Sequence, residues 1–177
     1  KALELAQKAL DIQRAVLGEE HPDTAVTYGN LGSTYDSLGN HAKALELTQR
    51  SLDIRRSVLG EEHPDTALAY GNLGSTYYSL GKYDKALELE QKSFLNLKTC
   101  LGISHQSTRN AAINLAMTLG KLNCVPEAKA VLKEAVQDLP VSDPFFKEAA
   151  GVAKSLDRKK KPHGPRFTPP KRRKKRR

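Results

Sequence analysis

The sequence predicts an all-α solenoid of antiparallel helix pairs followed by a disordered basic C-terminal tail. Three observations carry that prediction. The string LGEEHPDTA stands at residues 17–25 and again at 59–67, and residues 1–42 agree with residues 43–84 at 31 of 42 positions. Within each copy the apolar residues recur at spacings of three and four, as on one face of an α-helix, and strand signals are absent. The charge is also divided. Residues 158–177 hold twelve Lys or Arg and no acid, whereas residues 1–157 hold seventeen basic and twenty acidic side chains, a net of −3. A fixed period of about 20–50 residues is the mark of stacked repeats, each burying its apolar face on the next. Blocks of like charge repel and have no apolar face to bury, so the tail is expected not to pack.

Composition narrows the class. Charged residues make up 28% of the chain and aromatics 6%, with no Trp, which suits a thin helical array better than a thick core. No run approaches the roughly 18 apolar residues of a membrane span, and no signal peptide opens the chain. The sequence opens on Lys1 in the middle of a repeat, so we expect a fragment or a processed product. Cys100 and Cys124 fit no metal-ligand or CxxC spacing, which points to a reducing, intracellular and cytoplasmic setting. A helix length of roughly 25 Å at about 1.5 Å per residue separates them, against the roughly 7 Å a disulfide allows. Two free thiols are expected.

The elements follow in order. Residues 1–18 read as the second half of a repeat. Pairs follow at about 22–60, 64–102 and 106–139, and a terminal helix at about 144–158 closes a solenoid domain over 1–157. In the first pair, Ala25, Tyr28, Leu31, Gly32, Tyr35 and Leu38 form one stripe. Pro22 at the first helical position forfeits no needed donor, and Asp23 faces the positive end of the helix dipole. Gly39 stops the helix. The second stripe is Ala44, Leu47, Thr48, Ser51, Leu52, Arg55, Val58 and Leu59, closed by Gly60. The third pair is worn: Ala112 replaces the tyrosine, Ala116 the glycine, and Pro126 starts its second helix. Ser142 or Asp143 before Pro144 starts the terminal helix, whose face Phe146, Ala149, Ala150, Ala153 and Leu156 should cover the last pair.

Leu31-Gly32-Ser33-Thr34-Tyr35 followed by Ala44 matches the Leu-Gly-x-x-Tyr…Ala pattern of the tetratricopeptide repeat, with Tyr28 in the place of the usual Trp. Eight residues beyond the usual unit of roughly 34 are about two helical turns, so both helices lengthen without losing register. With LGEEHPDTA and YGNLGSTY, the unit resembles the 42-residue repeats of kinesin light chains and nephrocystin-3-like tetratricopeptide proteins over about residues 1–139. That resemblance implies a right-handed superhelix and a non-catalytic scaffold or adaptor that binds a segment of a partner protein or peptide on its concave face. Of two adjacent asparagines common in such repeats, only Asn30, Asn72 and Asn114 are present; Gly29, Gly71 and Ile113 precede them.

The first helix of each pair lines the concave face. Its candidate binding residues are Val26, Gly29, Asn30, Ser33, Asp36 and Ser37 in the first pair. In the second they are Leu68, Gly71, Asn72, Ser75, Tyr78 and Ser79, and in the third Asn110, Ile113, Asn114, Met117 and Lys121. This is a shallow, nearly neutral channel with asparagines at its edge as amide donors and acceptors. The alternative is plain surface, its small residues letting the superhelix curve tightly. No Lys/Arg cluster is present to capture a C-terminal carboxylate.

Enzymatic motifs are missing: there is no GxSxG, P-loop, HExxH or GxGxxG. No catalytic residue, cofactor, metal or small-molecule substrate is expected. His21, His63 and His105 lie one repeat apart, too far to share a metal whose ligands each sit about 2 Å away, and read as helix-start residues. In the tail, Arg158-Lys159-Lys160-Lys161, a nine-residue spacer and Lys171-Arg172-Arg173-Lys174-Lys175-Arg176-Arg177 have the form of a bipartite nuclear import signal recognised by importin. Nucleic acid, an acidic membrane, or no ligand at all are the other readings. The acidic loops Glu19-Glu20 and Glu61-Glu62 should form a stripe within reach of that tail.

Overall fold

The computed structural model describes residues 2–158, with the side chains of Ala2 and Arg158 excepted. The tail from Lys159 to Arg177, with the import and polyanion readings placed on it, lies outside the described residues. Eight helices follow in order: α1 Ala2–Leu17, α2 Pro22–Ser37, α3 His41–Leu59, α4 Pro64–Ser79, α5 Tyr83–Leu101, α6 Gln106–Lys121, α7 Val125–Val136 and α8 Pro144–Arg158. There are no strands among the described residues, and no helix there is long and apolar enough to cross a membrane.

The helix ends are set locally. His21, His63 and His105 are N-caps: each Nδ1 accepts a hydrogen bond from the backbone N–H two residues on, at 3.1, 3.1 and 3.2 Å. That satisfies one of the orphan donors of a helix start. Thr24 and Thr66 donate back to the carbonyls of Gly18 and Gly60 at 2.9 and 2.8 Å, locking the loop onto the helix it precedes. The turn inside each pair needs a left-handed residue, which Gly39 (φ 78°), Gly81 (φ 72°) and Asn123 (φ 63°) supply at equivalent positions. Asparagine is the side chain that tolerates this best. The following N–H closes onto the carbonyl five residues back: Asn40 to Tyr35, Lys82 to Tyr77 and Cys124 to Leu119, each at 2.9 Å.

Packing makes two layers. The backbones of α2, α4, α6 and α8 approach one another in series, whereas those of α1, α3, α5 and α7 do not, and α5 reaches α7 through the long side chains of the Lys98–Glu134 ion pair. The inner row is therefore crowded and the outer row splayed, which is curvature with the first helices on the concave side. α8 occupies the place of a next first helix, against α6 and α7. Close approach within a pair rests on Gly32, where a Cβ would stand 2.7 Å from Thr48 Cγ2, and on Gly74, where it would stand 2.8 Å from Glu90 Cγ.

Three details differ from the sequence reading. In α3 the buried residue is Ile54, 0% exposed, while Val58 is 49% exposed. An outer helix packs against its own partner and also against the next first helix, so its buried arc is wider than a single stripe. Leu38 lies past the end of α2 as its C-cap and is exposed. In α8 the docking stripe is Phe145, Ala149 and Leu156, with Phe146 half-buried and Ala150 exposed. The partners choose that rotation. Leu156 Cδ2 lies 2.2 Å from where a Cβ on Gly120 would stand, and Arg109 lies over the Phe145 ring at 5.7 Å. Cys100 is exposed, Cys124 half-buried, and both are free thiols.

Candidate partner-binding groove

The exposed faces of α2, α4 and α6 form the inner surface. Val26, Leu68 and Met117 present apolar side chains there, 40, 36 and 39% exposed. Asn30, Ser33, Ser37, Ser79, Asn110 and Lys121 are exposed beside them, and Ser75 and Tyr78 are half-buried. Two proposed lining residues do something else. Gly29 is buried, with a notional Cβ 3.1 Å from Ser51 Oγ and 3.5 Å from Asn72 Nδ2. Gly71 is half-buried, its notional Cβ 2.9 Å from Ser93 Oγ. Both glycines let the outer helix approach; they are packing positions, and Gly29 offers no groove surface. Ile113 is likewise buried.

The polar side chains are partly spent within the fold. Ser33 donates to the carbonyl of Gly29 at 3.1 Å and Ser37 to that of Ser33 at 3.0 Å. Asn114 Nδ2 donates to Ser75 Oγ at 3.4 Å, and Asn72 packs over Gly29, so these two asparagines tie each inner helix to the one before. Ser79 donates to Asp36 Oδ2 at 2.8 Å, and the other oxygen of Asp36 meets His41 Nδ1 at 2.7 Å. The carboxylate is in the middle of that trio. Nucleophilic activation of a serine needs the imidazole in the middle, so this arrangement ties the first pair to the second and does not build a nucleophile.

At one end of the groove, Tyr78 and Tyr83 meet edge to face, centroids 5.3 Å apart. Lys121 Nζ lies over both rings, at 5.7 and 5.6 Å. Beneath Tyr78 the surface opens into a cavity of about 100 Å³ whose lining includes Glu90 from the outer helix α5. Glu90 is 2% exposed, and its Oε2 has no hydrogen-bond partner. Burial pushes its carboxyl up to about 7. The Thr118 hydroxyl pulls the other way, although its Oγ1 is itself buried without a hydrogen-bond partner. The sequence reading passed over Glu90. The signal was there: positions 48, 90 and 132, one repeat apart on the buried stripe, read Thr, Glu and Leu.

The loop edge carries a repeated cluster of another kind. Glu19 is hydrogen-bonded by Tyr28 and paired with Arg14 and Arg50; Glu61 is hydrogen-bonded by Tyr70 and paired with Arg56 and Lys92. The tyrosine bond, followed by the arginines, lowers each carboxyl, while burial and the carboxylate push Tyr28 and Tyr70 up to about 12. Glu20 pairs with Arg50 at 2.6 Å. The acidic stripe is thus largely neutralised by its own repeats. No group of three or more His, Cys, Asp or Glu among the described residues is arranged to hold a metal ion.

A tetratricopeptide-repeat profile matches residues 1–57 and 37–99, together 1–99 of the 177. Comparison with curated proteins gives no match. Among solved structures, the nearly identical TPR-like repeats assigned to a kinesin light chain of Podosopora anserina match with a TM-score of 0.76 and 24% identity, over 89% of this chain and 76% of that one. A single-substitution variant of those repeats matches with a TM-score of 0.78 at the same identity and coverage. BtubC (BKLC) of P. vanneervenii matches with a TM-score of 0.70 and 23% identity, over 88% and 69%. At such identities the likeness speaks for the fold, and it is the fold that the repeat spacing and helix pairing describe. The profile covers more than half of the residues, so the chain belongs to the tetratricopeptide repeat family.

Proposed function

We propose that this chain is a non-catalytic adaptor that binds a segment of a partner protein along the concave face of its repeats. The family is one of protein–protein interaction scaffolds, and the observation that supports this particular face is its surface chemistry. Val26, Leu68 and Met117 stay exposed on an inner row that also carries the small side chains Ser33, Ser37, Ser75 and Ser79. Small residues let a guest backbone come close, and exposed apolar residues reward burial at about 25 cal/mol per Å².

The twelve basic residues of 158–177 favour a second reading, in which the tail supplies nuclear import or polyanion binding and the repeats act as a spacer. One experiment separates the two. Peptides selected against the full chain from a random display library are measured at about 50 and about 200 mM salt, along with a nucleic-acid duplex. Groove binding survives the higher salt and falls at least tenfold in Val26→Glu or Leu68→Glu, with Leu95→Glu on an outer helix as the control. Binding through seven or more phosphate contacts falls by about 10³ or more over that range. Peptides indifferent to both inner substitutions would end the concave-face reading.

A further inference from the structure

The small cavity between α4 and α6 is lined by Ser75, Tyr78 and Ser79 on one side and Asn114 and Met117 on the other, with Glu90 of α5 below. Glu90 packs there against a glycine: its Cγ lies 2.8 Å from where a Cβ on Gly74 would stand, so any side chain at 74 would push it aside. The fold does not require a carboxylate at this position. Thr48, its counterpart in the first pair, closes its hydroxyl onto the Ala44 carbonyl at 2.8 Å, and Leu132, its counterpart in the third, is simply buried. A buried polar group left without a partner costs stability, and such costs persist where a site uses them.

We infer that this cavity receives a positively charged, hydrogen-bond-donating side chain, the ammonium of a lysine or the guanidinium of an arginine, from the segment bound on the concave face, with Glu90 as its counter-ion. The inference rests on the concave-face reading. A cavity of about 100 Å³ takes the end of one side chain, well short of the roughly 300 Å³ or more of a small-molecule site. Its walls suit that guest. The Tyr78 ring and the Met117 thioether flank an alkyl stem and offer a polarisable surface to a cation. The Asn114 carboxamide and the Ser75 hydroxyl add acceptors for the remaining N–H groups. Asp36, hydrogen-bonded to Ser79 at the rim, adds a second negative charge. Lys121, the cation that shares Tyr78, is held over the two tyrosine rings and makes no ion pair with Glu90.

Met117 is the only methionine in the sequence, so its ¹³C-labelled methyl reports on this cavity alone. The full chain is titrated over the millimolar range with n-butylammonium and n-butylguanidinium at pH 8, and with n-butanol as the uncharged control. The cations should shift the Met117 methyl saturably, at least tenfold more tightly than butanol. Glu90→Gln should abolish that difference while the protein still melts cooperatively, and Glu90→Thr, which copies the first pair, should do the same. Equal response to butanol, no saturable shift with either cation, or an undiminished cation response in both variants would overturn the inference. Peptides selected on the concave face provide a separate arm. Binders lacking Lys and Arg, or indifferent to Glu90→Gln, overturn the inference and leave the groove intact. Cation binding at Met117 without any concave-face peptide binding retains the cavity as a cation site and removes the groove.

Discussion

The first and second helix pairs are close to copies, yet they solve the contact beneath their shared glycine differently. At Gly32 the neighbour is Thr48, small, hydrogen-bonded and pressed so close that backbone atoms stand 3.2 and 3.3 Å from a notional Cβ. At Gly74 the neighbour is Glu90, and the nearest backbone is 3.5 Å away. The first pair is shut; the second holds a carboxylate and opens a cavity on its concave side. The change from Thr48 to Glu90, with Tyr78 at the cavity wall where the first pair has Asp36, therefore separates two repeats that share most of their residues. What it teaches is that within a solenoid the shared residues build the frame and the differing residue at a frame position marks a site.

The largest expected effect tests the frame. Gly32→Leu should cost about 3 kcal/mol in a denaturant melt, since the added side chain meets backbone that cannot give way. Alanine sharpens the contrast between pairs. In a helix interior it returns about 1 kcal/mol over glycine, so Gly74→Ala, facing a side chain that can turn aside, should come out near neutral. Gly32→Ala should still show a net loss. Equal losses at both positions would mean that the two contacts are alike after all.

Next in size is the carboxylate itself. Glu90 is held near 7 by burial, above the 4.5 of an unperturbed Glu, so folding favours its protonated form. The contribution of Glu90 to stability should be most favourable below about 4.5, fall as the pH rises towards 7, and carry the full cost above it. At about 1.4 kcal/mol per pH unit that cost is about 3 kcal/mol. Glu90→Gln should recover about 2 kcal/mol of it at pH 8 and none at pH 4, measured by urea denaturation. Thr48→Glu should bring the same pH dependence into the first pair. A pH-independent gain from Glu90→Gln would break the comparison.

The smallest effect lies at the loop edge. Glu61→Gln removes the carboxylate that Tyr70 and Arg56 hold, and partly exposed pairs of this kind are worth less than about 1 kcal/mol. The depressed carboxyl means that whatever Glu61 contributes is present above its unfolded value and lost as pH falls through the folded one. The clearer readout is spectroscopic: Tyr70, held at about 12, should titrate closer to 10 in an ultraviolet pH titration. Glu19→Gln should do the same to Tyr28. The third loop, with Ile103 and Ala112 at the equivalent positions, has no such coupling to lose.

Much of this was legible in the chain alone. The repeat, the helix pairs, the prolines and histidines at helix starts and the glycines at helix ends are signals that act over a turn or less. Each depends only on the local backbone: a missing N–H, a ring nitrogen two residues from an orphan donor, a φ that other side chains resist. Burial read less well where one helix faces two neighbours, as Ile54 and Phe145 show, because a periodic stripe gives a direction but not the width of the contact. Gly29 and Gly71 were placed in the groove by spacing, when their lack of a side chain is what the neighbouring outer helix uses.

The sequence by itself determined that this is a tetratricopeptide array of helix pairs, with local signals for helix starts and stops, and that an inner row rich in small residues runs through the pairs. Only the tertiary structure decided which of those residues remain available. Asn114 is drawn to Ser75, Asn72 over Gly29, and Ser79 to Asp36 because inner helices one repeat apart come into contact. The cavity over Glu90 likewise has walls from α4, α5 and α6, with Ser75 and Met117 forty-two residues apart in the chain. Local periodicity cannot encode such a place, because its existence depends on how three separately determined helices cross, and on what their side chains leave unfilled between them.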